Sequence, residues 1–86
     1  MEIKIDVPDY EPETGFTFNW QDGFTIKTEM VDGELVIKAN KEGLISLANH
    51  LLNLSQDKIP NGYHFHLDSS NSLEDDSVGI VLERSN

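Results

Sequence analysis

Three side chains stand out for the chemistry they could share. His64, His66 and Asp68 take alternate positions in the run His64-Phe65-His66-Leu67-Asp68. Alternate residues of an extended strand point the same way, so two imidazoles and a carboxylate would share one face. Imidazole nitrogen and carboxylate oxygen are donors that hold divalent metals, and a small metal-binding or accessory domain is one reading of the run. His50, the remaining histidine, falls in a different element. The plainer reading is an exposed strand face that uses histidine to touch a partner. Acid–base catalysis is a poorer fit. His64 and Asp68 are four positions apart, roughly 13 Å at strand rise, beyond hydrogen-bond reach. His66 and Asp68 are closer, but no nucleophile motif accompanies them; Ser69, Ser70, Ser72 and Ser77 lie in a turn-like run. With no Gly-rich phosphate loop either, the chain is expected not to be an enzyme and to need no cofactor.

Glu74-Asp75-Asp76 follows closely on Asp68. It lacks the ligand spacing and the central glycine of an EF-hand loop. It reads as a solvated turn or as contacts for basic groups of a partner, as do Asp9, Glu11 and Glu13. The whole chain favours such a partner: 86 residues carry 6 Lys+Arg against 16 Asp+Glu, a net charge of -10. That balance excludes bulk neutralisation of phosphates, so no nucleic-acid partner is expected. An acidic surface instead speeds encounter with a basic protein. Cysteine is absent, which removes disulfides and thiolate chemistry. No apolar run approaches the ~18 residues of a membrane helix, and the acidic, alternating start lacks the pattern of a signal peptide. The expected location is the cytoplasm, with no membrane partner.

The elements that must position these residues follow from period. Ile3, Ile5 and Val7 alternate with polar residues, then Pro8 interrupts. Phe16, Phe18 and Trp20 alternate again, and core is their default place, although Trp20 beside the Gln21-Asp22-Gly23 turn could be partly uncovered. Phe24, Ile26, Thr28 and Met30 share a face; Asp32-Gly33 then signals a type I′ hairpin leading to Leu35, Ile37 and Ala39. The period next becomes helical. Leu44, Leu47, Ala48, Leu51 and Leu52 form the stripe, widened by Ile45 and Leu54, Asn40 is the expected N-cap, and the end falls near Gln56. Gly43 within that helix suggests a close approach of backbone to sheet. After Pro60-Asn61-Gly62 come a strand from Tyr63 to Asp68, a polar loop pinned by Leu73, and a strand with Val78, Ile80 and Leu82. The expectation is α+β in the order ββββαββ: one antiparallel-rich sheet of about six strands with a single helix on one face. Leu47, Leu51, Phe65, Leu67 and Ile80 are expected to be buried together between them. The opposite sheet face, with Thr17, Asn19, Lys27, Glu29, Lys38, His64 and His66, is the first candidate for a partner surface.

One stretch carries a family resemblance. Asn40-Lys-Glu-Gly43-Leu44, Leu47-Ala48-x-x-Leu51-Leu52 and Pro60-Asn-Gly62-Tyr-His64-Phe-His66-Leu67-Asp68 resemble the immunity protein 32 family of bacterial polymorphic toxin systems. Leu73, Ser77 and the apolar strand to Glu83 resemble its closing segment, so the likeness spans roughly residues 34 to 84. Asp75-Asp76 stands where that family commonly has a glycine, and Gly79 interrupts its last strand. The resemblance implies one α+β domain over residues 1–86. It also implies an antitoxin role: stoichiometric binding and neutralisation of a cognate toxin, expected to be basic. His64, His66, Asp68, Glu74, Asp75 and Asp76 are the expected contacts.

Overall fold

The computed structural model describes all residues from Met1 to Asn86. Two antiparallel hairpins flank one helix. β1 (Ile26–Val31) pairs with β2 (Glu34–Ala39), α1 spans Lys41–Leu54, and β3 (His64–Leu67) pairs with β4 (Ile80–Glu83). The class is α+β as expected, but four strands form two two-stranded sheets rather than one sheet of six.

Local chemistry accounts for the elements that form. Asp32 and Gly33 have φ of 51° and 80°, the two positive values that a type I′ turn requires. The turn sets Met30 opposite Leu35 and Ile26 opposite Ala39. Asn40 caps α1: its Oδ1 accepts from Gly43 N at 2.8 Å and from Thr25 N at 2.9 Å. At the other end α1 has no basic residue of its own, and Arg84 supplies one. Its guanidinium donates to the carbonyls of Leu54 (3.1 Å) and Gln56 (2.8 Å), satisfying orphan acceptors where positive charge is favoured. Arg84 N also donates to Tyr63 O, and Gly62 N to Arg84 O, extending the β3–β4 pairing.

The single sheet fails at its middle. Residues 74–78 lie beside β1 but are irregular; Glu74 N donates to Ile26 O (2.9 Å) and Val78 N to Thr28 O (3.0 Å). The Ser77 hydroxyl stands in for a carbonyl, accepting from Thr28 N at 3.1 Å. Asp76 interrupts this segment with φ 65°, the left-handed region that glycine occupies most freely. The join between the hairpins is therefore a hydrogen-bonded loop and not a ladder.

The two expected N-terminal strands do not form either. Residues 1–25 contain no strand, and their one bridge pairs Glu11 with Gly15. Side chains of α1, with Gln56 just beyond its C-terminal end, hold this backbone in place. Asn49 Nδ2 donates to Asp6 O (2.9 Å), Gln56 Nε2 to Pro8 O (2.8 Å) and Asn53 Nδ2 to Thr17 O (2.8 Å). Tyr10 N donates to Gln56 Oε1 and Gln21 N to Ser46 Oγ.

Those contacts rotate α1 from the expected orientation, so that of the leucine stripe only Leu54 is buried and Leu47 half-buried. The buried face of α1 is Gly43, Ser46, Asn49, His50, Asn53 and Leu54. Leu44, Leu51 and Leu52 point outward, at 55, 45 and 48 % exposure. Irregular backbone needs hydrogen-bond partners that leucine cannot supply, so the polar side of the helix turns inward. The core is Tyr10, Ile26, Leu54, Ile59, Phe65, Leu67 and Leu73, with Leu47, Ile80 and several aromatic rings packed half-buried against it. Leu51 is not part of that cluster. The Cα radius of gyration is 13.5 Å, above the ~12 Å of a compact chain this long, which fits an N-terminal segment held by side chains instead of strand pairing.

Candidate partner-binding face

β3 sorts its side chains by strand alternation. Phe65 and Leu67 enter the core while His64 and His66 are exposed on the other face. The two imidazoles meet edge to face with centroids 5.3 Å apart. His64 Nδ1 lies 3.0 Å from Gly62 O and 3.7 Å from Glu83 Oε1 on the paired strand. Val81, opposite His66 in the register, is half exposed. The face therefore offers two imidazoles and an apolar neighbour to solvent.

Asp68 does not join the imidazoles. Its Oδ1 accepts from the N–H (2.9 Å) and the hydroxyl (2.6 Å) of Ser70. Those two bonds, the hydroxyl first, hold its carboxyl below the usual carboxylate range. Its carbonyl accepts from the N–H groups of Asn71, Ser72 and Leu73, so Asp68 braces the start of the loop. Asn71 completes the brace. Its Oδ1 accepts from Asp68 N (3.0 Å) and its Nδ2 donates to His66 O (2.9 Å), as a neighbouring strand would do. No group of three or more His, Asp or Glu side chains converges as metal ligands. Strand alternation would give the alternative metal set of His64, His66 and Asp68 a common face, whereas the Asp68 carboxylate is engaged by Ser70 in its own turn.

The acidic run is anchored through its backbone. Leu73 is buried, Glu74 N bonds to β1, and the Asp75 carbonyl accepts from Lys27 Nζ. This leaves the side chains of Glu74, Asp75 and Asp76 in solvent. Few cations oppose them. Lys38 pairs with Glu29 at 2.6 Å, which lowers the Glu29 pKa, and Lys58 lies 3.9 Å from Glu11. Lys27 and Arg84 spend their charge on backbone carbonyls.

Beside His66 a cavity of about 140 Å³ opens, walled by Phe18, Trp20, Leu67, Asn71 and Ser72. Trp20 is half-buried, as its place beside a turn suggested. It stacks on Phe24 with centroids 4.4 Å apart and lies nearly parallel to Phe18 at 6.1 Å. His50 stands edge-on to both rings, at 4.4 Å from Trp20 and 5.0 Å from Phe18. It is 0 % exposed, and neither ring nitrogen has a hydrogen-bond partner. Burial pushes its pKa down to about 4, because a charged imidazole would lose hydration with nothing in exchange.

Sequence reasoning did not find this inner helix face. Its signal was present: Ser46, Asn49, His50 and Asn53 recur at spacings of three and four, a polar stripe running beside the leucines. No helix is long and apolar enough to cross a membrane. No curated protein and no solved structure matches the chain. The model of the family described as immunity protein 32 matches residues 34–85, from β2 through β4, which is more than half of the length; the chain belongs to the immunity protein 32 family.

Proposed function

We propose that the chain is an antitoxin-type immunity protein that acts in the cytoplasm by stoichiometric binding to a cognate, basic toxin domain, without catalysis. The observation that carries this reading is the family match over residues 34–85. Charge supports it: most of the 16 carboxylates have no cationic partner within the chain, so a basic surface gains complementary charge and a faster encounter. The contact face in this reading is the exposed side of β3, with His64 and His66, together with Glu74, Asp75 and Asp76. Asp68 orders the loop that presents those acids.

The test is co-expression with the toxin encoded by the adjacent reading frame, scored by rescue of growth and by co-purification. The parent chain rescues and co-purifies. The double change His64→Ala, His66→Ala leaves the melting curve in place and weakens the complex. If the toxin is neither bound nor silenced by the parent chain, the immunity reading is wrong.

A further inference from the structure

The two N-terminal segments have the alternating sequence pattern of strands but no strand partner. None of the backbone N–H groups from Ile3 to Val7 or from Phe16 to Trp20 meets a protein acceptor. The segments are the arms of a splayed hairpin, closed at its base by the antiparallel Glu11–Gly15 bridge. Ile3, Lys4 and Asp6 face Phe18, Trp20 and Gln21 across a cleft of about 730 Å³. Nearer the base, Asp6 to Pro8 face Thr17 and Asn19 across a second cleft of about 200 Å³.

The helix keeps the arms apart. Asn49 and Gln56 hold the first arm at Asp6 and Pro8, while Asn53 and Ser46 hold the second at Thr17 and Gln21. Each arm is thus tied to α1 and not to the other. Asn49, 3 % exposed, lies in the wall of the larger opening, and its buried Oδ1 has no hydrogen-bond partner. A buried carbonyl oxygen of this kind is costly to leave unpaired.

We propose that this cleft seats an extended, positively charged segment of the toxin, which adds as a strand between the two arms. The inference rests on the immunity reading and names a second, separate part of its contact surface. Strand addition satisfies backbone groups on both arms at once, and the pockets between alternate side chains select the sequence that enters. Charge selects the occupant. From Met1 to Asp22 the chain carries Glu2, Asp6, Asp9, Glu11, Glu13 and Asp22 against Lys4 alone. A second copy of this chain, itself at -10, would be repelled where a basic segment is drawn in. The cleft also adjoins the His66 cavity, because Phe18 and Trp20 wall both openings. A toxin strand in the cleft therefore runs up to the face already proposed as its contact.

The experiment is amide hydrogen exchange on the full chain, alone and in its co-purified complex with the protein from the adjacent reading frame. In the free chain, amides 3–7 and 16–20 exchange nearly as fast as in an unfolded peptide. In the complex they slow by about 100-fold. A second measurement uses Ile3→Pro and Lys4→Pro, which remove adjacent N–H groups, one of which strand alternation aims into the cleft. One of the two variants weakens the complex about tenfold, and both leave the melting point of the free chain unchanged, since neither N–H has a partner there. Protection already present in the free chain would mean that the arms zip onto each other, and would overturn the proposal. A complex that forms while these amides stay unprotected overturns the cleft alone and leaves the immunity reading standing. Failure to form any complex removes both.

Discussion

Gly43 in the first turn of α1 sits directly against the Thr25 carbonyl: a Cβ built on Gly43 would overlap that oxygen, and would lie 3.0 Å from Ile26 Cγ1 and 3.1 Å from Ala39 Cβ. The helix thus enters the fold with bare backbone pressed on β1 and β2. Asn40 fixes the same approach from one turn earlier, through Thr25 N and Gly23 O.

Gly43→Ala is accordingly expected to destabilise the chain, although alanine is the better helix former by about 1 kcal/mol. The obstacle is backbone and cannot rotate away, so overpacking of about 1–3 kcal/mol outweighs the propensity gain. Gly79→Ala is the control. Its Cβ would meet Asp68 Cβ at 3.7 Å, an ordinary contact, and the change should stay within about 0.5 kcal/mol of the parent. Urea unfolding of the two variants checks the pair, and equal midpoints would refute the close approach.

The orientation of α1 gives a second expectation. Phe65 is 7 % exposed, within the core and 5.2 Å from both Phe16 and Phe18. Phe65→Ala should cost about 3–5 kcal/mol. Leu51 faces solvent, and Leu51→Ala should cost less than about 1 kcal/mol. Thermal melts of both variants decide the matter: a large loss for Leu51 would mean that the leucine face is covered in solution.

The contrast shows where the sequence was legible. The Asp32-Gly33 turn, the Asn40 cap, the inward Phe65 and Leu67 and the Leu73 anchor all depend on neighbours in sequence, and all stand as read. The candidate face was legible for the same reason, since alternation alone puts His64 and His66 outside. The six-strand sheet was not. Whether Phe16 to Trp20 becomes a strand depends on a ladder partner distant in sequence, and Asn49, Asn53 and Gln56 took that place with their amides. Hydrophobic count favoured the leucine stripe as the buried face of α1; the demand of irregular backbone for hydrogen bonds outweighed it. Asp68 lies one residue beyond β3, where its carboxylate accepts from the nearest N–H and hydroxyl, both of Ser70.

Charge governs the third expectation. A basic toxin should associate faster at low salt, because the Debye length falls from about 10 Å at 0.1 M to about 3 Å at 1 M. The effect belongs mainly to the association rate. Stopped-flow measurements across that range should show a steep fall in the on-rate and a smaller change in the off-rate. A flat on-rate would leave the acidic surface with no part in recognition.

The last expectation concerns pH and rests on His50. Its ring is enclosed by Phe18, Trp20 and Phe65, none of which offers a carboxylate or carbonyl side chain to an imidazolium. Burial lowers its pKa from 6.5 to about 4 in the folded chain. The unfolded chain binds that proton near 6.5, so between pH 6.5 and 4 the unfolded state holds more protons than the folded one. Stability from this group is therefore complete above pH 6.5, falls as pH drops through the window, and is gone below about 4. The full loss is on the order of 3 kcal/mol, at about 1.4 kcal/mol for each tenfold change in proton affinity. Asp68, already held below the usual carboxylate range by Ser70, titrates beneath this window. His50→Leu removes the titrating group while keeping an apolar side chain in the aromatic box. Urea unfolding at about pH 7 and about pH 4.5, on either side of most of that window, should show a large drop for the parent and a much smaller one for the variant. Parallel losses in the two chains would mean that His50 is hydrated or hydrogen-bonded in solution, and that the box opens to admit water.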